Sequence, residues 1–235
     1  QTRPSGAGGI NSEYWIMNVL LLSFALTLVL ILFFRRIFRA LGFLDKPQLF
    51  GYNRAPVPYG LGIVFFLTFL VLSLAFLSLN VKLVVLLIAG GVLTLMCFLD
   101  DRWKLPALPR LIVQLLCATT VVLAGVSVPA ISNPFGEPFV LDAVRWTVEL
   151  GSLHLIVTPI ADLVAIFWIV LVINAMNWLD GAPGIVSGIS TIACAVLYLL
   201  ATMSDLHVID QTSLATMALI VGGSSFAFLF FDFPK

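Results

Sequence analysis

Seven predominantly apolar runs, each close to the length a helix needs to cross a bilayer, govern what this chain can fold into. They are Trp15–Phe34, Gly60–Leu79, Val81–Leu99, Leu111–Val128, Ile160–Met176, Ile185–Met203 and Leu214–Phe231. A hydrocarbon core about 30 Å thick takes roughly 20 apolar residues of helix. In lipid each such segment must also satisfy its own backbone groups. The expected fold is an all-α polytopic membrane protein of seven transmembrane helices. An N-terminal tail covers residues 1–14 and one transmembrane domain covers residues 15–235. Composition agrees, with 61% hydrophobic and only 10% charged residues where a soluble domain carries about 25% charged. The formal net charge is zero, so a nucleic-acid binder's electrostatic footprint is missing. Cys97, Cys117 and Cys194 lie inside apolar runs and read as packing residues, without disulfide or zinc spacing.

Asn80 alone separates the second run from the third and marks a tight turn. The one long connection is Pro129–Pro159, with a turn signal at Asn133-Pro134-Phe135-Gly136 and an alternation near Pro138–Leu141 that predicts a short strand. Basic residues set the orientation. Arg35, Arg36, Arg39, Lys46, Arg54, Arg102, Lys104, Arg110 and Lys235 fall on one side, and only Arg3, Lys82 and Arg145 on the other. The first side is expected to be cytoplasmic, with the N-terminus outside and the visible C-terminus inside. Asp45, Asp100, Asp101, Asp180 and Asp232 reach that same face, although they played no part in assigning it. Asp162 and Lys82 are expected near outer helix ends, within reach of water. No ionisable residue sits at mid-bilayer, where a proton-coupled transporter usually carries one.

Three polar constellations could carry chemistry. Phe98-Leu-Asp100-Asp101-Arg102-Trp103 places two adjacent carboxylates after an apolar helix. They fit a metal–phosphate site or a base, since magnesium takes one or two carboxylates together with substrate phosphates. They equally fit a solvated helix end with Arg102 and Lys104 as counter-ions. Asn174-Ala-Met-Asn177-Trp-Leu-Asp180-Gly181-Ala-Pro-Gly184 spaces two amides and a carboxylate by three residues, which fans them over one helix face. The alternative is a polar helix terminus with a Gly/Pro cap. Asn174 argues against that, because an unpartnered amide one turn into the membrane is costly. In the third, Asp45-Lys46-Pro47 and Asn53-Arg54-Ala-Pro56-Val-Pro58, Arg54 could grip a phosphate or touch anionic lipid. His154 and His207 stand alone and read as surface residues. Trp15 and Trp103 read as interfacial anchors.

Together these segments resemble the polyprenyl-phosphate N-acetylhexosamine-1-phosphate transferases, of glycosyltransferase family 4 type. DKPQLFGYNRAPVPYGLG is similar to that family's first cytoplasmic loop. FLDDRWKLPALPRLIVQ resembles its Asp-Asp motif, with Arg110 at the usual basic position and Gln114 following. NAMNWLDGAPG resembles its Asn-x-x-Asn-x-x-Asp-Gly motif. ISNPFG looks like a stretch of the GlcNAc-1-phosphate branch, and the phospho-MurNAc-pentapeptide transferases are the related branch. Pro183 stands where the family often has Asp or Asn, and Asn53-Arg54 where it often has His or Lys. FDFPK looks like the lead-in to a Gly-Asp motif, and members have about ten spans. The chain is therefore expected to be a C-terminally truncated member.

The resemblance implies transfer of a sugar-1-phosphate, with GlcNAc-1-phosphate favoured, from a UDP-N-acetylhexosamine to a polyprenyl phosphate. The reaction would occur at the cytoplasmic face of the plasma membrane and start cell-wall or surface-polysaccharide synthesis. It implies Mg2+ as cofactor, with Mn2+ as a substitute, held by Asn177 with Asp180 close by. Asp100 would deprotonate or orient the acceptor phosphate and Asp101 would support the metal–diphosphate site. Arg54 and Arg110 would hold phosphate charge, with Asn174 also on the substrate. Expected partners are donor, acceptor, the lipid bilayer and a second copy in a homodimer, without nucleic acid. The competing readings are a transporter or lipid-binding protein using the same acids as an ion site, and an inactive truncated relative.

Overall fold

The computed structural model describes residues 9–44, 58–150, 153–203 and 211–232. Helices stand at all seven apolar runs: α1 (Gly9–Ala40), α2 (Gly62–Phe76), α3 (Val81–Trp103), α4 (Ala107–Leu123), α5 (Pro159–Leu179), α6 (Ile185–Thr202) and α7 (Thr212–Asp232). Five are long and apolar enough to cross a membrane: α1 over Met17–Ala40, α3, α5, α6 and α7. The other two, α2 and α4, have 15 and 17 residues. At 1.5 Å per residue they reach only about 22–26 Å, less than a hydrocarbon core. The chain is thus a helical membrane protein, but of the seven expected transmembrane helices five are long enough to cross and two are short.

The long connection is not plain loop. It holds two antiparallel hairpins, β1 (Ala130–Ile131) with β2 (Phe139–Val140), and β3 (Trp146–Leu150) with β4 (Leu153–Val157). The expected strand near Pro138–Leu141 is β2, while β3 and β4 were not expected. In β3–β4 the register sets Trp146 opposite Val157 and Thr147 opposite Ile156.

The chain divides into two compact units, Gln1–Ser78 with Leu179–Lys235, and Leu79–Trp178. In the first, α1 and α7 run parallel, since Ser23 and Thr27 meet Ile220 and Ser224 in ascending order. The α2 helix runs against them, with Thr68 on Thr27 and Leu72 clustered with Val19, Leu219 and Ile220. The α6 helix also opposes α7, because Ser187 meets Asp232 and Gly188 faces Leu229, whereas Gly222 faces Cys194 far along the helix. The α1–α7 seam is close. A Cβ on Gly223 would lie 2.8 Å from the Leu20 carbonyl oxygen and 2.9 Å from Ser23 Cβ. Small residues at such seams let backbones approach in lipid, where the hydrophobic effect does not pull helices together.

Fully buried hydroxyls tie this seam. Ser23 Oγ donates to the Ile220 carbonyl at 2.5 Å and lies 3.0 Å from Ser224 Oγ. Thr27 Oγ1 lies 3.1 Å from both Thr68 Oγ1 and Ser224 Oγ. Over the seam's charged end, the Arg35 guanidinium sits 5.4 Å from the Phe231 ring centroid, a cation–π contact. The surface depression lined by Asn18, Leu21, Leu22, Ala25 and Phe76 contains none of the residues singled out for chemistry.

In the second unit α3 and α4 form a helical hairpin around Ala89, Cys117 and Val121. Asn80 caps α3, its Oδ1 accepting from the Leu83 N–H at 2.9 Å, as short polar side chains do at helix starts. The α5 helix opposes α4: Asn174 meets Gln114 at one end, and Thr158 lies 3.5 Å from Ser127 at the other. Asp162, expected at water, is instead 8% exposed. It accepts from the Thr158 N–H at 2.7 Å and from Thr158 Oγ1 at 2.8 Å. A carboxylate is stable there because the first turn of a helix presents unpaired N–H groups and partial positive charge. Lys82 is exposed as expected.

Candidate active site

The Asp-Asp motif lies inside α3, not beyond it. The helix continues four residues past the expected end at Leu99, so Asp100 and Asp101 occupy its last turns. Lys104 ends it with φ 52°, its N–H donating to the Asp100 carbonyl at 2.7 Å. A left-handed residue with a side chain is unfavourable at a helix end, where glycine is usual. The Asp100 carboxylate offsets this by fastening the turn. Its Oδ1 accepts from the Leu105 N–H at 2.9 Å, and its Oδ2 accepts from Arg110 Nη1 at 2.9 Å. Both side chains are half-buried, so the pair is less screened than a surface ion pair.

Asp100 therefore spends both oxygens on protein donors, and its counter-ion is Arg110, ten residues on. The sequence suggested Arg102 and Lys104 for that part. Asp101 is exposed beside it. Arg110 and Gln114 are one turn apart on α4 and share a face. Asn174, half-buried on α5, donates through Nδ2 to Gln114 Oε1 at 2.7 Å and to the Val170 carbonyl at 2.8 Å. The amide that seemed too costly to bury without function thus has two partners. Asn177, one turn on, is exposed. One end of this unit accordingly gathers Asp100, Asp101, Arg110, Gln114, Asn174 and Asn177.

In the other unit the turn Asp180–Gly184 leads into α6, with Gly184 at φ 76° as its first boundary residue, a conformation glycine adopts without penalty. Ser187, in the first turn of α6, is buried and donates through Oγ to Asp232 Oδ2, in the last turn of α7. Partial burial by the surrounding protein, and next the negative charge of Asp232, push the Asp180 carboxyl above the usual carboxylate range. The residue as a whole remains exposed. Arg35 and Arg36 also sit at this end of the unit, on the last turns of α1.

Asp100, Asp101, Arg110, Asn174 and Asn177 thus share one end of one unit, and Asp180 belongs to the other. Arg54 lies outside the described residues, as do Asp45, Lys46, Pro47, His207 and the last three residues of FDFPK. Sequence reasoning named Gln114 and Asp232 in passing and gave Ser187 no role. Their signal is contact across helices, which spacing along one helix does not report.

Among the described residues no three or more His, Cys, Asp or Glu gather as a cage. What is present in the first unit are hard oxygen donors, the Asp180 and Asp232 carboxylates, whose mutual repulsion a divalent cation would relieve. Magnesium prefers such oxygens and keeps room for water and substrate phosphate, so the residues fit it.

Residues 83–235 match the glycosyl transferase family 4 description. The chain is similar to a probable undecaprenyl-phosphate N-acetylglucosaminyl 1-phosphate transferase of Bacillus subtilis, 26% identical over 147 residues, which is 62% of this chain and 35% of that protein. It is similar to a decaprenyl-phosphate N-acetylglucosaminephosphotransferase of Mycolicibacterium smegmatis, 30% identical over 110 residues, 47% of this chain and 24% of that protein. With the protein of that description from Mycobacterium leprae it shares 28% identity over 153 residues, 63% of this chain and 35% of the relative. The chain therefore spans about a third or less of the length of these relatives.

Proposed function

The chain belongs to glycosyl transferase family 4, and from that premise we propose that it transfers GlcNAc-1-phosphate from UDP-GlcNAc to a polyprenyl phosphate. The carrying observation is the polar end of the α3–α4–α5 unit, where Arg110, Gln114 and Asn174 stand beside the Asp100–Asp101 pair. The relatives' names supply the acceptor class and the sugar. The UDP donor and magnesium come from the motif resemblance.

In this reaction an oxygen of the polyprenyl phosphate bonds to the donor's β-phosphorus. The bond from that phosphorus to the bridging oxygen breaks, and UMP leaves. Two anionic substrates repel one another, so the site must supply positive charge and donors. Arg110 provides a guanidinium already oriented by Asp100, which leaves its remaining N–H groups for phosphate oxygens. With both oxygens engaged, Asp100 acts as a positioning residue. Asp101, exposed next to it, is the better placed of the pair to orient the acceptor or support the diphosphate. The motif resemblance gives Asn177 the magnesium, with Asp180 three residues on in the same motif. Magnesium, when bound there, would supply positive charge to offset that of the diphosphate.

We place the site on the cytoplasmic face of the plasma membrane with seven crossings in all. The basic asymmetry supports this, as does the alternation of helix directions inside each unit. The test is to purify the protein in detergent and follow UMP release from UDP-GlcNAc with undecaprenyl phosphate and Mg2+. Release that needs both lipid and metal, is stopped by EDTA and is restored by Mg2+ or Mn2+ is the expected result. A folded protein that releases no UMP and forms no GlcNAc-diphosphate lipid would overturn the reading.

A further inference from the structure

Gln114 carries this inference, and its orientation follows from chemistry. The Val170 carbonyl only accepts, so the Asn174 atom 2.8 Å from it must be the amide nitrogen. That nitrogen has a second hydrogen, which points at Gln114 2.7 Å away, so the Gln114 atom there must be the oxygen. The Gln114 nitrogen is thereby turned the other way with two N–H donors. Among the described residues the Gln114 side chain has one hydrogen bond, that from Asn174, and Gln114 is only half-buried, so those donors are reachable.

The adjacent turn of α4 bears Arg110, which spends one nitrogen on Asp100. Arg110 and Gln114 thus present a guanidinium and an oriented amide from one helix face. The matching ligand is a group with several acceptor oxygens and negative charge. We propose that Gln114 is a phosphate-binding residue, locked by Asn174 so that its amide N–H groups act with Arg110 on a phosphoryl group. This rests on the transferase reading, which offers two such groups: the polyprenyl phosphate and the donor diphosphate. The lock also assigns Asn174 a task different from direct substrate contact. Its own Oδ1 is left as an acceptor, and its nitrogen fixes Gln114.

Two variants separate donation from mere helix tying. Gln114→Glu keeps an oxygen to accept from Asn174 and replaces the donors with a charged acceptor. Gln114→Met removes both functions without adding charge. Binding is read by equilibrium titration of the purified protein in detergent, once with undecaprenyl phosphate and once with UDP-GlcNAc plus Mg2+. Thermal unfolding checks that each variant is folded.

Both variants are expected to raise the Kd for at least one ligand about tenfold or more, the worth of a hydrogen bond to a charged group. The ligand that weakens identifies which phosphate Gln114 holds. Wild-type affinity of Gln114→Glu for both ligands would overturn the proposal, because it would show that only the tie to Asn174 matters. Because the readout is binding, it stands apart from turnover. Phosphate binding that depends on Gln114 without UMP release would count against the transferase reading and not against this one.

Discussion

Replacing Asp100 by Asn asks how much of the Asp-Asp motif is scaffold. The change removes one charge and almost no volume. Its Oδ1 can still accept from the Leu105 N–H, but the other position becomes an N–H₂ group facing Arg110 Nη1 at 2.9 Å. Donor then meets donor, and the guanidinium loses its anchor. A hydrogen bond to a charged group contributes about 1.5–3 kcal/mol when buried, and an exposed ion pair about 0.2–1 kcal/mol. With side chains 35% and 22% exposed, the pair falls between those ranges, near 1 kcal/mol. For a chain of this size that corresponds to a melting shift of about 2–4 °C. The assay is thermal unfolding in detergent of wild type, Asp100→Asn, Arg110→Gln and the double variant. A coupling of about 1 kcal/mol is expected from the cycle, with a smaller shift for Asp101→Asn at its exposed position. Transfer is expected to fall in both Asp variants, and stability chiefly in the first. An unshifted midpoint for Asp100→Asn, or a coupling indistinguishable from zero, would refute the positioning role.

Gly223→Ala is expected to destabilise by about 1–3 kcal/mol, the usual cost of overpacking, because its Cβ would press on the Leu20 carbonyl. Gly62→Ala, with nothing within 4 Å, should be neutral or slightly stabilising, and equal midpoints for the two would break the close-seam argument. In metal-free protein the raised Asp180 carboxyl predicts a titration midpoint above the ordinary carboxylate value, read by NMR of labelled aspartate. Asp232→Asn should move that midpoint down, and an unmoved midpoint would show that Asp232 does not act on it. For stability, a raised folded value contributes fully below the unfolded value and is lost as pH rises through the folded one. Finally, single cysteines at Trp103 and Ala182, in a variant without the native cysteines, should label only from the cytoplasmic side. Labelling of either from outside intact cells would end the one-sided arrangement.

The helices were legible because lipid-crossing segments must be long, apolar and self-satisfied, and each apolar run overlaps one. Their ends were less so. Asp100 and Asp101 look like a boundary on hydropathy, yet α3 carries them in its last turns because backbone bonding does not stop where hydropathy falls. The β3–β4 hairpin had a signal, Trp146–Leu150 and Leu153–Val157 flanking Gly151-Ser152, which is the pattern of two strands about a two-residue connection. Candidate residues were found wherever helical spacing groups them, as with Asn174 and Asn177. What pattern does not carry is partnership across helices. Nothing local to Arg110 announces Asp100 as its anchor, and nothing local to Asn174 announces Gln114, which lies 60 residues away.

The hydroxyls between α1, α2 and α7 bear on how an oily chain stores positional information. Leucine and phenylalanine rows are nearly interchangeable against one another or against lipid, so on apolar contact alone α7 could slide or roll with little penalty. Ser23, Thr27, Thr68 and Ser224 make that sliding discontinuous. A one-residue slip moves a helix about 1.5 Å and turns it about 100°, which would part every one of these oxygens at once. They behave as the teeth of a key cut into an otherwise smooth shaft. On this unit the lipid-facing letters can drift freely, while a handful of small polar ones spell the alignment.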